Sequence, residues 1–367
     1  MKAIICGGGT VGHVTPGISI AEAILKKEPK STVLFVGREG GEENEVVKKR
    51  GYKQYYLKVS GLKRRITLDN VRTLIKMQKA LHESKKILKA ESPNVVIGTG
   101  GYVCWPMLRA AQKLKIPTLI HESNLSPGAA ALLLSKKCDR VLLNFKESEK
   151  SFKSRKKLTV VGNPIPDSFS TTTRESARKR LMLKNTDIFI LSFGGSGGAE
   201  IINRFAIGLM RKYSEKRLGI RHVHATGRKY FKELQIANPD LVQGRNGCKI
   251  LPFIDDMALY MKAADIIISR CGAMTLSEIC ACECVPILIP SPNVTNNHQY
   301  KNAKVFTDNG AAIMIEESEL CDTVLLDAIK YIESNPAIRK KIKSNLAKFK
   351  TDDVNDKIYA AIKSVAK

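Results

Sequence analysis

Short apolar and β-branched runs recur along the chain, each followed by a longer stretch in which apolar positions return at helical spacing. In the first half the runs are Ala3–Cys6, Thr32–Val36, Val95–Ile97, Thr118–Ile120, Arg140–Leu143 and Thr159–Val161. Segments of helical period lie between them, among them Gly17–Lys27, Asn70–Lys89 and Pro106–Lys115. The second half restarts the rhythm with Phe189–Phe193, Val223–Ala225, Lys249–Leu251, Ile266–Ser269, Pro286–Ile289 and Ala312–Ile315. Apolar strands alternating with helices are what parallel sheets covered on both faces require. Two doubly wound units in tandem fit this order better than one very wide sheet.

The break falls at Gly162-Asn163-Pro164-Ile165-Pro166-Asp167, where two prolines and a Gly-Asn pair exclude regular structure. The expected domains are residues 1–163 and 164–347, with the basic, helix-like tail at about 348–367 a candidate to pack back on the first. A length of 367 residues agrees, since single cores stop growing at ~250–300.

Glycine clusters follow the first strand of each half. Cys6 runs into Gly7-Gly8-Gly9-Thr10-Val11-Gly12-His13, and Phe193 into Gly194-Gly195-Ser196-Gly197-Gly198. Glycine lets the backbone approach a ligand closely, and the N–H groups of a helix start favour negative charge. Each turn is therefore a candidate cradle for a phosphate or a developing oxyanion; a tight turn needing glycine only for its dihedrals is the competing reading. Val36-Gly37-Arg38 stands where a dinucleotide fold places an acidic residue, which argues against a nicotinamide cofactor. His13, in the mouth of the first turn, has the chemistry of a general base. Ser196 can donate its hydroxyl to a phosphate oxygen. A third helix start, Gly272-Ala273-Met274-Thr275-Leu276-Ser277-Glu278, puts Glu278 in its expected first turn. There a carboxylate either closes a capping box or accepts from both hydroxyls of a ribose. The polar loop that carries His298 and Gln299 suits sugar hydroxyls, and reads equally as an ordinary capped loop.

Charge sharpens the picture. There are 61 Lys+Arg against 35 Asp+Glu, a formal net charge of +26, and residues 1–163 hold 31 of the basic and 13 of the acidic side chains. Such an excess suits nucleic acid, an anionic membrane face or a phosphorylated substrate. A nucleic-acid partner is disfavoured, because no helix-turn-helix, zinc-finger spacing or RNP-like segment is present and only 6% of residues are aromatic. No apolar run approaches the ~18–20 residues that span a bilayer, so an integral membrane protein and a secreted precursor are both disfavoured. Nine scattered cysteines argue for a reducing compartment. Cys280, Cys282 and Cys284 are spaced by two and Asp255-Asp256 are adjacent, so neither zinc nor a divalent-ion site is expected. Between Lys58 and Lys89 stand ten basic and two acidic residues, opening with Lys63-Arg64-Arg65. Leu74, Met77, Leu81 and Leu88 there recur near helical spacing, with Arg72, Lys76, Lys79 and Lys86 around them. That is either a membrane-facing patch with a basic rim or a core-facing helix with a solvated face. Tyr102 and Trp105 are candidate interfacial aromatics.

The segments GGGTVGHVTPG, HESNLSPG, GNPIP, FGGSGGAEIIN, FIDDM, RCGAMTLSEI and NNHQYKNA occur in this order from Met1 to about Ala347. Together they resemble the bacterial N-acetylglucosaminyl transferases of peptidoglycan synthesis, the lipid II-forming glycosyltransferase family. The resemblance implies an α/β GT-B fold, two Rossmann-like domains with parallel sheets facing across a deep cleft. It implies an inverting, metal-independent and cofactor-free transfer of N-acetylglucosamine from UDP-N-acetylglucosamine to the C4 hydroxyl of a polyprenyl-pyrophosphate-linked muramyl pentapeptide. Residues 1–163 would take the acceptor and touch an anionic membrane surface, peripherally, on the cytoplasmic face of the bacterial plasma membrane; residues 164–347 would bind the UDP-sugar.

By the same resemblance Ile254 meets the uracil through its backbone and Glu278 holds the ribose. Ser196, Ala273, Met274 and Thr275 surround the diphosphate, and His298 and Gln299 reach the sugar. Thr10, Val11, Gly12, His13 and Asn124 line the acceptor side and the donor phosphate, with His13 the candidate base. The chain departs from the family at four places: Val11 replaces a glycine, Pro166 an arginine, Gly197 a glutamine and His298 one of two glutamines. Val11 is strained if its position needs a positive φ, and the cation lost at Pro166 is expected to be supplied by Arg270, Lys301 or a neighbour. Diacylglycerol glycosyltransferases and UDP-N-acetylglucosamine 2-epimerases share the fold, and the HESNLSPG and GGGTVGHVTPG segments favour the peptidoglycan family over them.

Overall fold

The computed structural model describes residues 1–41, 44–61, 68–216 and 220–366, with the side chains of 68–72, 74 and 213–216 excepted. By internal contacts the chain divides into Met1–Pro166 with Thr351–Lys367, and Asp167–Lys350.

The first unit is built on β1 (Lys2–Gly7), β2 (Thr32–Arg38), β3 (Lys53–Leu57), β4 (Val95–Gly100), β5 (Thr118–Glu122), β6 (Arg140–Leu143) and β7 (Leu158–Val160). They form one sheet in the order β3-β2-β1-β4-β5-β6-β7, every neighbouring pair parallel. Alternation along β1 separates two cores. Ile4 and Cys6 pack with Leu34, Val36 and Val96 under Leu81, Leu88, Met107 and Leu108 on one face. Ala3 and Ile5 pack with Val33, Phe35, Val95 and Ile97 under Ile18, Ile20 and Ile24 on the other. Each fully buried Ile or Leu removes enough apolar area to stabilise the fold by roughly 1.5–3 kcal/mol.

The second unit repeats the plan with β8 (Ile188–Phe193), β9 (Ile220–Ala225), β10 (Cys248–Leu251), β11 (Ile266–Ser269), β12 (Val285–Leu288) and β13 (Ile313–Met314). Their order is β10-β9-β8-β11-β12-β13, again all parallel. In both sheets the order reverses beside the first strand, between β1 and β4 and between β8 and β11. At such a reversal, neighbouring βα turns leave toward opposite faces and open a crevice.

Every described strand except β3 coincides with an expected apolar run. β3 is a sheet edge whose only buried residue is Leu57, so its sequence Lys-Gln-Tyr-Tyr-Leu carries little apolar signal. The first helix starts earlier than Gly17: it runs Val11–Lys27 straight through Pro16. The proline removes one bond in the ladder, and Thr15 Oγ1 donates to the Val11 carbonyl at 3.0 Å beside it.

In the basic stretch, the helix Leu68–Glu91 sends Leu81 and Leu88 into the core while Lys76, Lys79 and Lys86 stay exposed. Those two leucines are therefore not part of a membrane patch. The Lys63-Arg64-Arg65 run and the side chains of Arg72 and Leu74 lie outside the described residues. Trp105 packs against the core, whereas Ile75 and Tyr102 stay 54% and 53% exposed. Among the described residues no helix is long and apolar enough to cross a membrane.

The tail returns to the first unit. Its helix Val354–Lys363 buries Ile358 and Ile362 against the helix Val11–Lys27. Glu28 gathers the tail to the chain start, accepting from Lys363 Nζ at 2.5 Å, Tyr359 Oη at 2.6 Å and the N-terminal ammonium at 3.2 Å. Lys363, then Tyr359 and the N-terminus, hold the Glu28 carboxyl down at about 2. Burial rather than charge should dominate this attachment, since exposed ion pairs contribute little. Ile358→Ala is expected to cost ~2–5 kcal/mol in urea unfolding and Lys363→Ala far less; equal losses would contradict that order.

Candidate active site

In the first unit the site is built where β1 and β4 end side by side. Gly8 N–H donates to Gly100 O at 3.2 Å, and a Cβ on Gly101 would overlap the Gly8 carbonyl. With φ at 85°, Gly101 also lies in the region that glycine favours. This close approach brings Gly100 against the His13 imidazole. Thr99 Oγ1 lies 2.7 Å from the His13 carbonyl, fixing the first helical turn to β4.

Within that frame His13 Nδ1 sits 3.1 Å from the Gly8 carbonyl and 3.4 Å from Thr10 Oγ1. A carbonyl can only accept, so the tautomer that suits this contact carries its proton on Nδ1. Nε2 then bears the lone pair that a general base needs. Thr10 is the N-cap residue, but its side chain makes no capping bond to the helix backbone, and no acidic residue lies in the first turn. Val11 is the first helical residue and is absent from the positive-φ positions, so its side chain brings no backbone strain. Gly12 and Thr10 are exposed.

Asn124 lines the same recess as His13, together with Thr99, Gly100, Glu122 and Ser123. Here the sequence reading missed a residue. Glu122 is buried, and its carboxylate accepts from Asn124 N at 3.0 Å, Asn124 Nδ2 at 3.3 Å and Gly128 N at 2.9 Å. It therefore sets the whole loop 123–128. Its position two residues before Asn124, at the end of a fully buried strand, is the signal that could have found it.

In the second unit the remaining candidates all follow strand C-termini and so share one edge of the sheet. Ser196 is exposed in the turn after β8, Ile254 follows β10, and Ala273, Met274, Thr275 and Glu278 lie on the helix Ala273–Cys280 after β11. His298 and Gln299 open the helix His298–Asp308 after β12. Gln299 Oε1 accepts from Ser291 N at 2.9 Å and Cys271 N at 3.3 Å, tying the turns after β11 and β12 together. His298 Nδ1 meets Thr295 O at 2.8 Å. The side chains of Ile254, Ala273 and Met274 are buried, so a ligand there meets their backbone.

The glycine turn Gly194–Gly198 is positioned from below by a chain of hydrogen-bonded side chains. Asn203 Nδ2 donates to Thr226 O at 3.0 Å, and Asn203 Oδ1 faces His224 Nε2 at 3.0 Å. His224 Nδ1 lies 2.7 Å from Ser192 Oγ and 3.1 Å from the Ser192 carbonyl, and Ser192 Oγ lies 2.8 Å from His222 Nε2. Burial holds both imidazoles neutral, pushing His224 down to about 4 and His222 to about 3. The chain ends at Thr226, whose carbonyl a Cβ on Gly198 would overlap. Gly197 faces open space, so the glutamine that the resemblance leads one to expect there would have room.

Two expectations about charge are corrected. Glu278 is the sixth residue of its helix and not in the first turn, so it closes no capping box. Among the described residues its carboxyl has no hydrogen-bond or ion-pair partner, and burial alone pushes it up to about 8. It keeps a partly exposed edge. Arg270, in turn, is not available to a ligand phosphate: Nη2 lies 2.5 Å from Glu317 Oε2, an ion pair off the line of an N–H bond, and Nη1 donates to Ile289 O at 3.3 Å.

With this geometry in place, comparison with known proteins is specific. The family profile of the glycosyltransferase family 28 N-terminal domain matches residues 3–143 and that of its C-terminal domain residues 189–358. A UDP-N-acetylglucosamine--N-acetylmuramyl-(pentapeptide) pyrophosphoryl-undecaprenol N-acetylglucosamine transferase of Acetivibrio thermocellus is 38% identical, over 100% of this chain and 99% of that protein. One of the same name from Thermoanaerobacter sp. (strain X514) is 41% identical over 100% of both chains. Among solved structures, the crystal structure of Acinetobacter baumannii MurG matches with a TM-score of 0.73 at 24% identity, over 99% of this chain and 100% of that one. The S. aureus MnaA-UDP co-structure matches with a TM-score of 0.70 at 13% identity, over 99% and 96%. At these identities the structural likeness concerns the fold, and two parallel α/β units of this kind make a GT-B fold.

The Glu278 carboxyl gives this site a signature in stability. Its folded value, about 8, lies above the ordinary 4.5, so between those values the folded chain keeps a proton that the unfolded chain has released. Stability therefore falls as pH rises through that window and levels off above it. Glu278→Gln removes the penalty. Its melting temperature should match the parent near pH 5 and exceed it by ~2 °C or more above pH 8; a gap that does not change with pH would refute the assignment.

Proposed function

We infer from one premise, that this chain belongs to the family of UDP-N-acetylglucosamine--N-acetylmuramyl-(pentapeptide) pyrophosphoryl-undecaprenol N-acetylglucosamine transferases within glycosyltransferase family 28, that it forms the disaccharide of the lipid-linked peptidoglycan precursor. It transfers N-acetylglucosamine from UDP-N-acetylglucosamine to the C4 hydroxyl of a polyprenyl-pyrophosphate-linked N-acetylmuramoyl pentapeptide, with inversion. The observation that carries this reading is identity of 38–41% to named family members over the whole chain. Relatives sharing only the fold, such as the 13% identical MnaA, do not compete with it.

The residues divide the chemistry. On the acceptor side, His13 Nε2 takes the proton of the attacking hydroxyl while Gly8 O holds the opposite nitrogen, and the loop set by Glu122 presents Asn124 to the same substrate. On the donor side, the carboxyl of Glu278 meets the ribose hydroxyls and the backbone beside Ile254 meets the uracil. The hydroxyl oxygen bonds to the anomeric carbon from the face opposite the diphosphate, the glycosidic C–O bond breaks, and UDP departs with the electron pair. Its charge is met by the turn Gly194–Gly198 with Ser196, and by the helix start at Ala273, Met274 and Thr275. Oriented backbone dipoles stabilise such a leaving group without reorganising. Gln299, already fixed through its Oε1, directs its amide to the sugar with His298 beside it.

The acceptor's polyprenyl tail resides in a bilayer, so the protein works peripherally at the cytoplasmic membrane face. The basic excess of residues 1–163 supplies the attraction, at ~1 kcal/mol per cation near an anionic surface.

Purified protein is expected to move labelled N-acetylglucosamine onto a lipid-linked muramyl acceptor, and failure to do so would sink the reading. His13→Ala should lower kcat by roughly 10²–10⁴ with donor affinity kept. Glu278→Ala should instead weaken donor binding. If both variants lost only donor affinity, His13 would not be the base.

A further inference from the structure

The donor diphosphate in this reading lacks an obvious cation. The position after the Gly-Asn-Pro segment where relatives are expected to carry arginine is Pro166, and Arg270 is satisfied by Glu317 and Ile289 O. Lys301 is also poorly placed. On the helix His298–Asp308, Gln299 bonds to Cys271 N and Asn302 Nδ2 to Cys271 O, so the face bearing 299 and 302 looks toward the site. Residue 301 is about 200° around the helix from 299 and is exposed on the far side. Lys262 donates to Ala281 O at 2.5 Å.

We propose that Arg228 is the cation that binds the diphosphate of the donor nucleotide, a role resting on the UDP-sugar reading above. Arg228 is the first residue of the helix Arg228–Ala237 and directly follows Gly227. The Gly227 main chain packs so closely on the glycine turn that a Cβ there would overlap Gly198. The arginine backbone is thereby fixed beside the turn that cradles phosphate. Its guanidinium lies over the Phe253 ring, 4.7 Å from the centroid, and Phe253 immediately precedes Ile254 of the base loop. The side chain thus spans from the phosphate turn to the uracil loop, the span that a nucleoside diphosphate itself occupies.

The stack fixes the guanidinium plane while leaving its N–H edges open to oxygen acceptors. The acid it faces is Asp255, with Nη2 to Oδ1 at 3.9 Å and side chains 61% and 77% exposed. A pair so long and so wet holds the guanidinium weakly. A phosphate can replace that carboxylate and gain shorter, charge-assisted hydrogen bonds in a fork geometry that lysine does not reproduce.

Calorimetric titration of the full chain with UDP, UMP and uridine tests this, with circular dichroism showing that each variant is folded. Arg228→Ala should weaken UDP binding by about tenfold or more and change uridine binding by less than about twofold. Arg228→Lys should recover only part of the loss. Asp255→Asn, which frees the guanidinium, should bind UDP at least as tightly as the parent, and added salt should narrow the gap between parent and Arg228→Ala. UDP binding by Arg228→Ala within about twofold of the parent, or equal losses for UDP and uridine, would overturn the assignment. A parent protein that bound no UDP at all would overturn the donor-site reading instead, so the two failures are distinguishable.

Discussion

Both sheets of this protein are parallel and covered on both faces, and that constraint decides where chemistry can happen. A strand whose two faces are buried, as in Ala3–Cys6 or Ile266–Ser269, can carry no solvated side chain along its length. Polar function is pushed to strand ends, and in a parallel sheet every strand ends at the same edge. The candidate base, the loop of Asn124, both glycine turns and the helix bearing Glu278 all sit at such ends. Where the strand order reverses, the turns must pass close to one another, and this is why Gly101 lies on the Gly8 carbonyl. These glycines are demanded first by the packing of the turns themselves.

The same physics sets what could be read from the sequence. Buried parallel strands are continuous apolar runs, so the two doubly wound units and nearly every strand are legible. β3 is not, because an edge strand with one buried residue looks like a polar loop. Pro16 reads as a helix boundary, yet the helix continues through it because Val14, Ile18 and Ala21 are buried on one face and a single missing hydrogen bond is a small loss against that. Within the site, residue types and order are legible while pairings are not. Nothing local shows that Glu317 answers Arg270, or that Glu122 holds Asn124, because both depend on which turns the sheet brings together. Glu278 fails for a different reason: the helix begins at Ala273, and an error of one turn in a boundary moves a carboxylate from a cap to a site.

Electrostatically the two units differ. The first carries most of the net positive charge, and in its site the imidazole of His13 turns Nδ1 to the Gly8 carbonyl. The second offers backbone N–H groups and the Ser196 hydroxyl around its turns, with the half-buried Arg270 already paired to Glu317. Backbone dipoles present no net charge that must be desolvated when the ligand is absent, and the proposed cation, Arg228, is solvent-exposed and adds its charge without that burial cost. The buried histidine chain beneath the turn follows the same logic, holding geometry with neutral groups that cost little near pH 7, where an ordinary imidazole is already mostly neutral.

Glu278 is the exception, and in the donor site proposed for it stability is traded for recognition. A carboxyl without partners among the described residues, held at about 8 by burial, weakens the fold at neutral pH and above. That penalty is lifted by a ligand that supplies hydrogen-bond donors, because two ribose hydroxyls favour the ionised form which burial disfavours. Occupancy and ionisation are therefore coupled: near neutral pH the empty site holds a proton, and a ligand that needs both carboxylate oxygens as acceptors must displace it. A sugar lacking one of those hydroxyls leaves the charge half compensated in a site that tolerates charge poorly. Discrimination of this kind would rest on the cost of the unmatched buried group, because Glu278 has no partner of its own among the described residues.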